Sequence, residues 1–432
     1  MEDNIYRVPY GKSTLTFGLP SGMVATVAIS QPVAALRDVP AAVAATLARP
    51  IASPPLHELA RPGDRVCIVF TDSTRASPDH LMVPALLAEL AVAGVRDEDI
   101  TLLCGIGMHR PSTPAEKAAK LGRDIAERYH VIDSEPTNPA ALVDLGVTAG
   151  GMPVQLHHAV AEADLLLATG IVEPHQYAGY SGGGKTVAVG AAGEALIAHS
   201  HAPAYIDHPA TRLGRIEGNP FHEAIREAAR RANLRFVINV VLSDDRQVLE
   251  VAAGAPEPTF YQLVDFARSV YEVPIPHPYD IAVGGVGHPK DRNLYQASRA
   301  ATYLYLAPVP VVRPGGFIIV PAPCEEGAGE GVGEQRFLAA MRDGHDVQSI
   351  LDDARRHGYP PGQQRAFMLA KVLEQASVVI VGSQCPELVA ACKMIPAATM
   401  EEALELARQK LGDACQMLVV PHALLTLPVI KE

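Results

Sequence analysis

Residues 175–190 read HQYAGYSGGGKTVAVG, and residues 179–186 within them match the phosphate-loop pattern G-x-x-x-x-G-K-[ST]. A true phosphate loop needs a buried strand leading directly into the first glycine and a helix beginning at the lysine. Here the apolar run of residues 164–172 ends too early, and residues 186–193 mix β-branched residues with two glycines, which disfavours a helix. The alternative, a nucleotide-binding phosphatase or kinase that uses Gly179–Thr186, therefore lacks the strand and the helix that a phosphate loop requires.

Composition excludes several classes of protein. The chain has 432 residues and a net charge of −12, so we expect more than one domain and no partnership with nucleic acid. Its six cysteines contain no C-x-x-C pair, which argues against a zinc ribbon or a disulfide framework. No basic-then-apolar leader and no long uncharged apolar run is found. These features predict a cytoplasmic protein without a membrane partner.

Short apolar runs alternate with alanine-rich helical stretches, which is typical of parallel sheets covered by helices. We predict an α/β fold of two lobes, with mostly parallel sheets and an active-site cleft between them. The first domain is predicted over 1–272 and the second over 279–412, with a linker before the second; segment 413–432 could return to the first. Predicted strands are 65–70, 100–104, 164–172, 280–286, 315–321 and 377–382, and predicted helices are 84–94 and 113–121.

Polar residues follow three of the predicted strands. Because ligands bind outside the carboxyl ends of strands in open α/β sheets, Arg75, His109 and His175 are expected to share one site. Histidine suits proton transfer near neutral pH and metal ligation equally well. Lys185 is either a surface cation or, if desolvated, a covalent attachment point. Arg75 could hold a carboxylate or pair with Asp72.

Four segments carry a resemblance to a known family. They are Asp72-Ser73-Thr74-Arg75 with Pro78; Gly107-Met108-His109-Arg110 with Thr113 and Glu116; Glu173-Pro174-His175 with residues 178–185; and residues 290–297, KDRNLYQA. In this order, over nearly the whole chain, they resemble lactate racemase and its relatives, the nickel-pincer nucleotide enzymes. The pattern H-x-x-A-G-[aromatic]-S-G-G-x-K is highly specific to that family.

The resemblance implies a cofactor and a metal. Lys185 would carry the nickel-pincer nucleotide, pyridinium-3-thioamide-5-thiocarboxylic acid mononucleotide, through a thioamide link, and His201 would ligate Ni²⁺. Sulfur, carbon and imidazole donors suit Ni(II). Further cofactor contacts are expected from Asp72, Ser181, Gly182, Gly183 and Gly184. The resemblance also implies cofactor-assembly proteins as partners.

The implied reaction is the racemisation or epimerisation of a 2-hydroxycarboxylic acid. His109 and His175 match the family's catalytic pair, which handles the hydroxyl proton while a hydride leaves Cα for the cofactor. Hydride transfer avoids a carbanion beside an ionised carboxylate, and two bases allow proton return on either face. Substrate contacts are expected from Arg75, Tyr295, Gln296 and Arg299.

Two departures from the family concern the substrate. Arg299 stands where lactate racemase has a lysine, and the chain contains no tryptophan, so the indole that walls the lactate pocket must be replaced. Gln364 or a neighbour in residues 360–365 is the expected replacement. A longer or more polar 2-hydroxyacid, such as malate or an aldonic acid, therefore joins lactate as a candidate. A non-catalytic carrier or sensor of the nucleotide is a further alternative.

Overall fold

The computed structural model describes residues 5–430, which form twenty β-strands and seventeen α-helices. The strands are β1 Ile5–Tyr10, β2 Ser13–Gly18, β3 Val24–Val27, β4 Val66–Thr71, β5 Ile100–Gly105, β6 His130–Asp133, β7 Leu142–Val147, β8 Pro153–His157, β9 Leu165–Ile171, β10 Pro174–His175, β11 Gly179–Tyr180, β12 Leu234–Leu242, β13 Val248–Gly254, β14 Glu272–Ile275, β15 Tyr279–Gly284, β16 Val312–Pro321, β17 Ser377–Val381, β18 Ile395–Ala397, β19 Gln416–Val420 and β20 Leu427–Ile430.

The helices are α1 Val39–Ala48, α2 Leu56–Leu59, α3 Asp79–Val92, α4 Pro114–Leu121, α5 Arg123–Arg128, α6 His158–Ala161, α7 Glu194–Ser200, α8 Pro203–Ile206, α9 Pro220–Arg231, α10 Pro256–Tyr271, α11 Leu294–Ala297, α12 Arg299–Tyr305, α13 Val332–Asp343, α14 Val347–His357, α15 Gln364–Gln375, α16 Pro386–Ala391 and α17 Met400–Leu411. No helix within residues 5–430 is both long and apolar enough to cross a membrane.

The chain divides into two compact units. Unit A contains residues 32–201 and 216–270, and unit B contains the described residues of 1–31, 202–215 and 271–432. This division differs from the predicted boundaries, because the N-terminal strands and the C-terminal segment both belong to unit B. The reason is long-range pairing: β3 pairs with β19, and β20 pairs with β14.

Unit A is built on a six-stranded sheet with the order β13-β12-β9-β4-β5-β6. All neighbours are parallel except the β12–β13 pair. The predicted strands 65–70, 100–104 and 164–172 are confirmed to within one residue as β4, β5 and β9. Their side chains are almost entirely buried, as expected for a sheet covered on both faces. Helix α4 begins at the predicted capping box of Thr113 and Glu116.

Unit B is built on a second six-stranded sheet, β18-β17-β16-β15-β19-β3, in which every pair is parallel. The predicted strands 280–286, 315–321 and 377–382 correspond to β15, β16 and β17. The hairpin β1–β2 supplies Val8 and Phe17 to the core of this unit, beside Ile281 and Ile319. Residues of the β1–β2 hairpin are therefore part of this unit's core.

Two local predictions were wrong. The expected linker before the second domain contains a strand, β14, because its backbone pairs in parallel with β20. The segment after Lys185, expected to lack a helix, forms a π-helical turn over Thr186–Gly190. Burial outweighs its low helix propensity: Val187 and Ala188 are fully buried, and a Cβ on Gly105 would lie 3.1 Å from the Gly190 Cα. Single π-helical turns are frequent at functional sites.

Candidate active site

The sheet of unit A contains a topological switch point between β4 and β9. From β4 the chain proceeds to β5 and β6 on one side, whereas β9 and β12 lie on the other. In doubly wound sheets the loops flanking such a point form a crevice that binds ligands. The loops after β4, β5 and β9 carry Arg75, His109 and His175 respectively. The three predicted residues thus follow neighbouring parallel strands.

Asp72 and His109 are joined directly. The Nδ1 of His109 lies 2.5 Å from Oδ2 of Asp72, and Asp72 Oδ1 accepts hydrogen bonds from the Thr74 backbone and hydroxyl. Burial alone would raise the pKa of Asp72, but the bonds from His109 and Thr74 and the nearby Arg75 hold it below its ordinary value. An ionised carboxylate only accepts, so Nδ1 carries a proton and Nε2 of a neutral His109 keeps its lone pair.

A buried ion pair holds the loop that carries Asp72 and Arg75. Nζ of Lys120 lies 2.7 Å from Oδ2 of Asp79, whose side chain is fully buried. The same ammonium donates to the carbonyls of Arg75 and Ser77, at 3.2 and 2.9 Å. Hydroxyls of Thr71, Ser77 and Thr169 bond to the Asp79 carboxylate. The network ties the loop to β4, β9, α3 and α4.

Replacing Lys120 with methionine should destabilise the protein by about 3–5 kcal/mol, because the Asp79 charge would stay buried without its cation. Urea unfolding monitored by circular dichroism measures this loss. The matched control is Arg65→Met, which breaks the exposed Arg65–Asp164 pair and should cost far less, because solvent screens an exposed ion pair. Equal losses in the two variants would contradict a special role for the buried pair.

The glycine-rich turn is fastened to the sheet by its own polar groups. The Ser181 hydroxyl donates to the Ile171 carbonyl at 2.7 Å, and the Gly183 backbone N–H donates to Oδ1 of Asn239 at 2.7 Å. A Cβ on Gly182, whose φ is +93°, would lie 2.7 Å from the Val172 side chain. The turn packs this tightly only with glycine. Because the Gly183 N–H is bonded within the protein, it does not point at a phosphate.

Lys185 ends this turn, and its side chain is half-buried. Strand β9 ends at Ile171, and Gly179 instead begins the two-residue strand β11, which pairs antiparallel with β10. A phosphate loop would run from the strand into the turn without this hairpin. The turn therefore differs from a phosphate loop at its N-terminal side, where the hairpin stands between β9 and the turn. On its C-terminal side a π-helical turn follows Lys185.

His175 and His201 contact the same two aromatic rings. The ring of His201 lies 5.5 Å from that of Tyr177 and 5.1 Å from that of Phe221, edge-on in both cases. His175 lies 5.7 Å from Tyr177 and 6.4 Å from Phe221. Burial, with a smaller contribution from the charge of Lys185, lowers the pKa of His201 to about 4. His201 is thus neutral near pH 7.

Backbone contacts indicate different tautomers for these two histidines. The Nδ1 of His201 lies 2.9 Å from the Ile197 carbonyl, which can only accept, so Nδ1 carries the proton and Nε2 keeps the lone pair. His175 is the opposite case, since its Nδ1 accepts from the backbone N–H groups of Tyr177 and Ala178, both at 3.2 Å. The proton of a neutral His175 is therefore on Nε2.

The predicted substrate contacts Tyr295, Gln296 and Arg299 lie in unit B, on α11 and α12, and Gln364 begins α15 of the same unit. The guanidinium of Arg299 donates to the Tyr303 hydroxyl at 2.8 Å and to Oε1 of Gln296 at 3.4 Å. Arg365 lies over the ring of Tyr295 at 5.0 Å from its centroid. Arg365 belongs to the stretch expected to replace the family's tryptophan.

Sequence reasoning missed four residues that contact or hold the predicted site residues within each unit. Asn239 interrupts the buried apolar part of β12 that follows Arg235, and such a polar interruption is a usable signal because buried amides need partners. Tyr303 lies one helical turn after Arg299, a spacing that predicts contact. Asp79 and Lys120 carry no local signal, since they are distant in sequence and meet only in the fold.

Known proteins resemble this chain over nearly its full length. Residues 10–214 match the family model of the lactate racemase N-terminal domain, and residues 276–427 match that of the C-terminal domain. The lactate racemase of Thermoanaerobacterium thermosaccharolyticum is 31% identical over 422 residues, covering 96% of this chain and 97% of the relative. That of Lactiplantibacillus plantarum is 33% identical over 424 residues, covering 96% and 98%.

Two solved structures share the fold. The lactate racemase apoprotein from T. thermosaccharolyticum superposes with a TM-score of 0.86 at 28% identity, covering 99% of this chain and 100% of that one. A Thermotoga maritima protein superposes with a TM-score of 0.66 at 20% identity, covering 87% and 96%, and this similarity concerns the fold alone.

The α/β units and the similarity to characterised enzymes define the chain as a racemase, an isomerase. More particularly, it belongs to the lactate racemase family. The resemblance read from the sequence motifs is thereby confirmed.

Proposed function

We propose that this chain interconverts the stereoisomers of a lactate-like 2-hydroxycarboxylic acid, using a nickel-pincer nucleotide attached at Lys185. The observation that carries the proposal is the Asp72–His109 pair, at 2.5 Å, which joins the loops that follow the neighbouring strands β4 and β5. A carboxylate that fixes the tautomer of a histidine is the arrangement expected of a general base. The family membership supplies the class of substrate.

The residues present fit the implied cofactor. Lys185 is half-buried on a turn held by Asn239, and its charge acts on His201. His201 has its Nδ1 proton directed at a carbonyl, which leaves Nε2 as the nitrogen able to ligate nickel. When bound, the nickel-pincer nucleotide supplies a reversible hydride acceptor. The protein's part is to attach it, to orient it and to move the hydroxyl proton.

The tautomers of the two proposed catalytic histidines give them complementary roles. His109 presents the Nε2 lone pair and takes the substrate hydroxyl proton, while Asp72 stabilises the imidazolium that results. His175 presents Nε2–H and donates a hydrogen bond to the substrate oxygen. For the opposite enantiomer His175 acts as the base, which requires its proton to move from Nε2 to Nδ1 and the bonds from the Tyr177 and Ala178 N–H groups to open, while protonated His109 donates the hydrogen bond. Arg75, whose side chain is exposed in unit A, is the proposed anchor for the substrate carboxylate.

Arg299 favours a substrate with more polar groups than lactate. Its planar guanidinium offers five donors and already contacts Gln296 and Tyr303. Malate would present a second carboxylate to such a group, and an aldonic acid would present hydroxyls. Tyr295, stacked on Arg365, is proposed to wall the same pocket.

The direct test is a stereochemical screen of the loaded enzyme. The chain is produced with nickel and the cofactor-assembly proteins, and each enantiomer of lactate, malate and several aldonic acids is followed by chiral chromatography. Interconversion of at least one pair is expected. A loaded enzyme that interconverts none of them, or an unloaded chain that hydrolyses nucleotides with Mg²⁺, would contradict the proposal.

Replacing Arg299 with lysine should shift the substrate profile toward lactate. Loss of one bidentate contact is worth about 1.5–3 kcal/mol, so we expect roughly a tenfold or greater fall in kcat/KM for the preferred polar acid relative to lactate. The control is Arg292→Lys, an arginine engaged by Glu325 and Glu326. An unaltered profile in Arg299→Lys would refute the pocket argument.

A further inference from the structure

His109 and Asp72 differ in how firmly the protein holds them. The Asp72 side chain is 7% exposed and is fixed by the two bonds from Thr74. The His109 side chain is 45% exposed, and the His109 backbone N–H bonds within its own loop, to the Ile106 carbonyl at 3.0 Å. An exposed side chain on a loop loses conformational freedom when it is held in one geometry. Contacts of the residues next to His109 therefore decide how well its ring stays at Asp72.

The residue after His109 is bound by a carboxylate of helix α4. Both terminal nitrogens of Arg110 donate to Glu116, Nη1 to Oε2 at 2.8 Å and Nη2 to Oε1 at 2.6 Å. Nη1 also donates to the Pro111 carbonyl at 3.0 Å. A bidentate arginine–carboxylate pair adds geometric specificity as well as energy. The pair therefore fixes the backbone next to His109 relative to α4.

Glu116 is itself held in one orientation. Its Oε2 accepts from the Thr113 backbone N–H at 2.8 Å and from the Thr113 hydroxyl at 3.1 Å, and its Oε1 accepts from Ser73 at 3.2 Å. The bonds from Arg110 and Thr113 hold the pKa of Glu116 well below its ordinary value, so the carboxylate is ionised near neutral pH. Helix α4 is anchored in turn by the buried ion pair of Lys120. Glu116 thus joins an anchored helix to the loop of His109.

We propose that Glu116 is a positioning residue for the racemase reaction: through Arg110 it holds the imidazole of His109 in its working position. This inference rests on the proposed function, in which His109 takes the substrate hydroxyl proton. A displacement of a catalytic group by about 1 Å costs roughly 10²-fold in rate. Because Thr74 fixes Asp72 independently, loss of the Arg110–Glu116 pair affects His109 and leaves its partner in place.

Two variants break the pair from either side. Glu116→Gln removes the charge and one acceptor but keeps the helix cap, since glutamine also serves at this position of a capping box. Arg110→Met removes every donor and keeps most of the side-chain length. Each variant of the loaded enzyme should lose roughly 10- to 100-fold in kcat with KM nearly unchanged, because the proposed carboxylate anchor Arg75 is untouched. The double variant should be no slower than the slower single variant, since both changes break the same interaction.

Thr113→Ala separates positioning from helix capping. It removes the hydroxyl that accepts from the Glu116 N–H at the start of α4 but leaves the Arg110–Glu116 pair. The melting temperature, followed by circular dichroism, should therefore fall, while kcat should stay close to that of the unaltered chain. Equal losses of kcat in Thr113→Ala and Glu116→Gln would assign Glu116 a structural role and overturn the proposal.

A readout on the unloaded chain is independent of racemase activity. Proton–nitrogen NMR spectra of the histidine rings distinguish the two neutral tautomers, and the His109 signals are those that His109→Gln lacks. The unaltered chain should show His109 protonated at Nδ1, whereas Glu116→Gln and Arg110→Met should show a mixture of tautomers. A single Nδ1–H tautomer in both variants would overturn the proposal. If the unaltered loaded enzyme interconverts no substrate, the proposed function fails, and the NMR spectra still decide whether Glu116 positions His109.

Discussion

Replacing Lys185 with arginine should abolish both the covalent adduct and the racemase activity while leaving the fold intact. Arginine keeps the positive charge on the turn, but a guanidinium cannot form the proposed thioamide link. Side chains alone offer no acceptor for a hydride, so activity should fall by more than about 10⁴-fold, to background. Intact-protein mass spectrometry after expression with nickel and the assembly proteins measures the adduct, and chiral chromatography measures the activity.

Lys117→Arg is the matched control for this substitution. Lys117 pairs with Asp133 at 2.8 Å and is also largely shielded from solvent, but it lies on α4, away from the glycine-rich turn. Its variant should retain both the adduct mass and the activity. A full adduct in Lys185→Arg would show that the cofactor is attached elsewhere. Absence of an adduct from the unaltered chain under the same conditions would refute covalent attachment altogether.

The strands β4, β5 and β9 of unit A were predictable because they are almost entirely buried. β4, β5 and β9 each appear in the sequence as a continuous apolar run followed by polar residues, and burial on both faces produces that pattern. Parallel strands place their carboxyl ends at one edge. The proximity of the loops that carry Arg75 and His109 could therefore be inferred without the structure.

Features created by long-range pairing could not be predicted in the same way. The N-terminal strands join unit B because β3 pairs with β19, almost 400 residues later, and no local pattern records such a partner. The π-helical turn after Lys185 was missed because close packing of Gly105 against Gly190 outweighs helix propensity. The Asp72–His109 bond was missed for a related reason. The sequence offered Arg75, three residues away, as the partner of Asp72, whereas the group at hydrogen-bonding distance is His109 from the loop after β5.

Replacing Asp72 with asparagine should lower kcat by about 10³–10⁴-fold with little change in KM, by analogy with loss of the carboxylate in hydrolase triads. The carboxylate now holds the proton on His109 Nδ1 and leaves Nε2 basic. An amide can donate to Nδ1 instead, which selects the tautomer whose Nε2 is protonated and unable to take the substrate proton. Steady-state kinetics on both enantiomers, with the adduct mass recorded for each preparation, measure the effect.

The adduct mass separates two roles that Asp72 could have. If Asp72 orients His109, Asp72→Asn should carry a full adduct and fail in turnover, whereas a residue that binds the cofactor should lose the adduct when replaced. Ser73→Ala is the control, because Ser73 lies on the same loop as Asp72 but its hydroxyl donates to Glu116 of α4, at 3.2 Å, and not to His109. This variant should be close to fully active. Asp72→Glu, which keeps a carboxylate, should recover part of kcat. A fully loaded Asp72→Asn variant with unchanged kcat would remove Asp72 from the mechanism and leave His109 without the group that sets its tautomer.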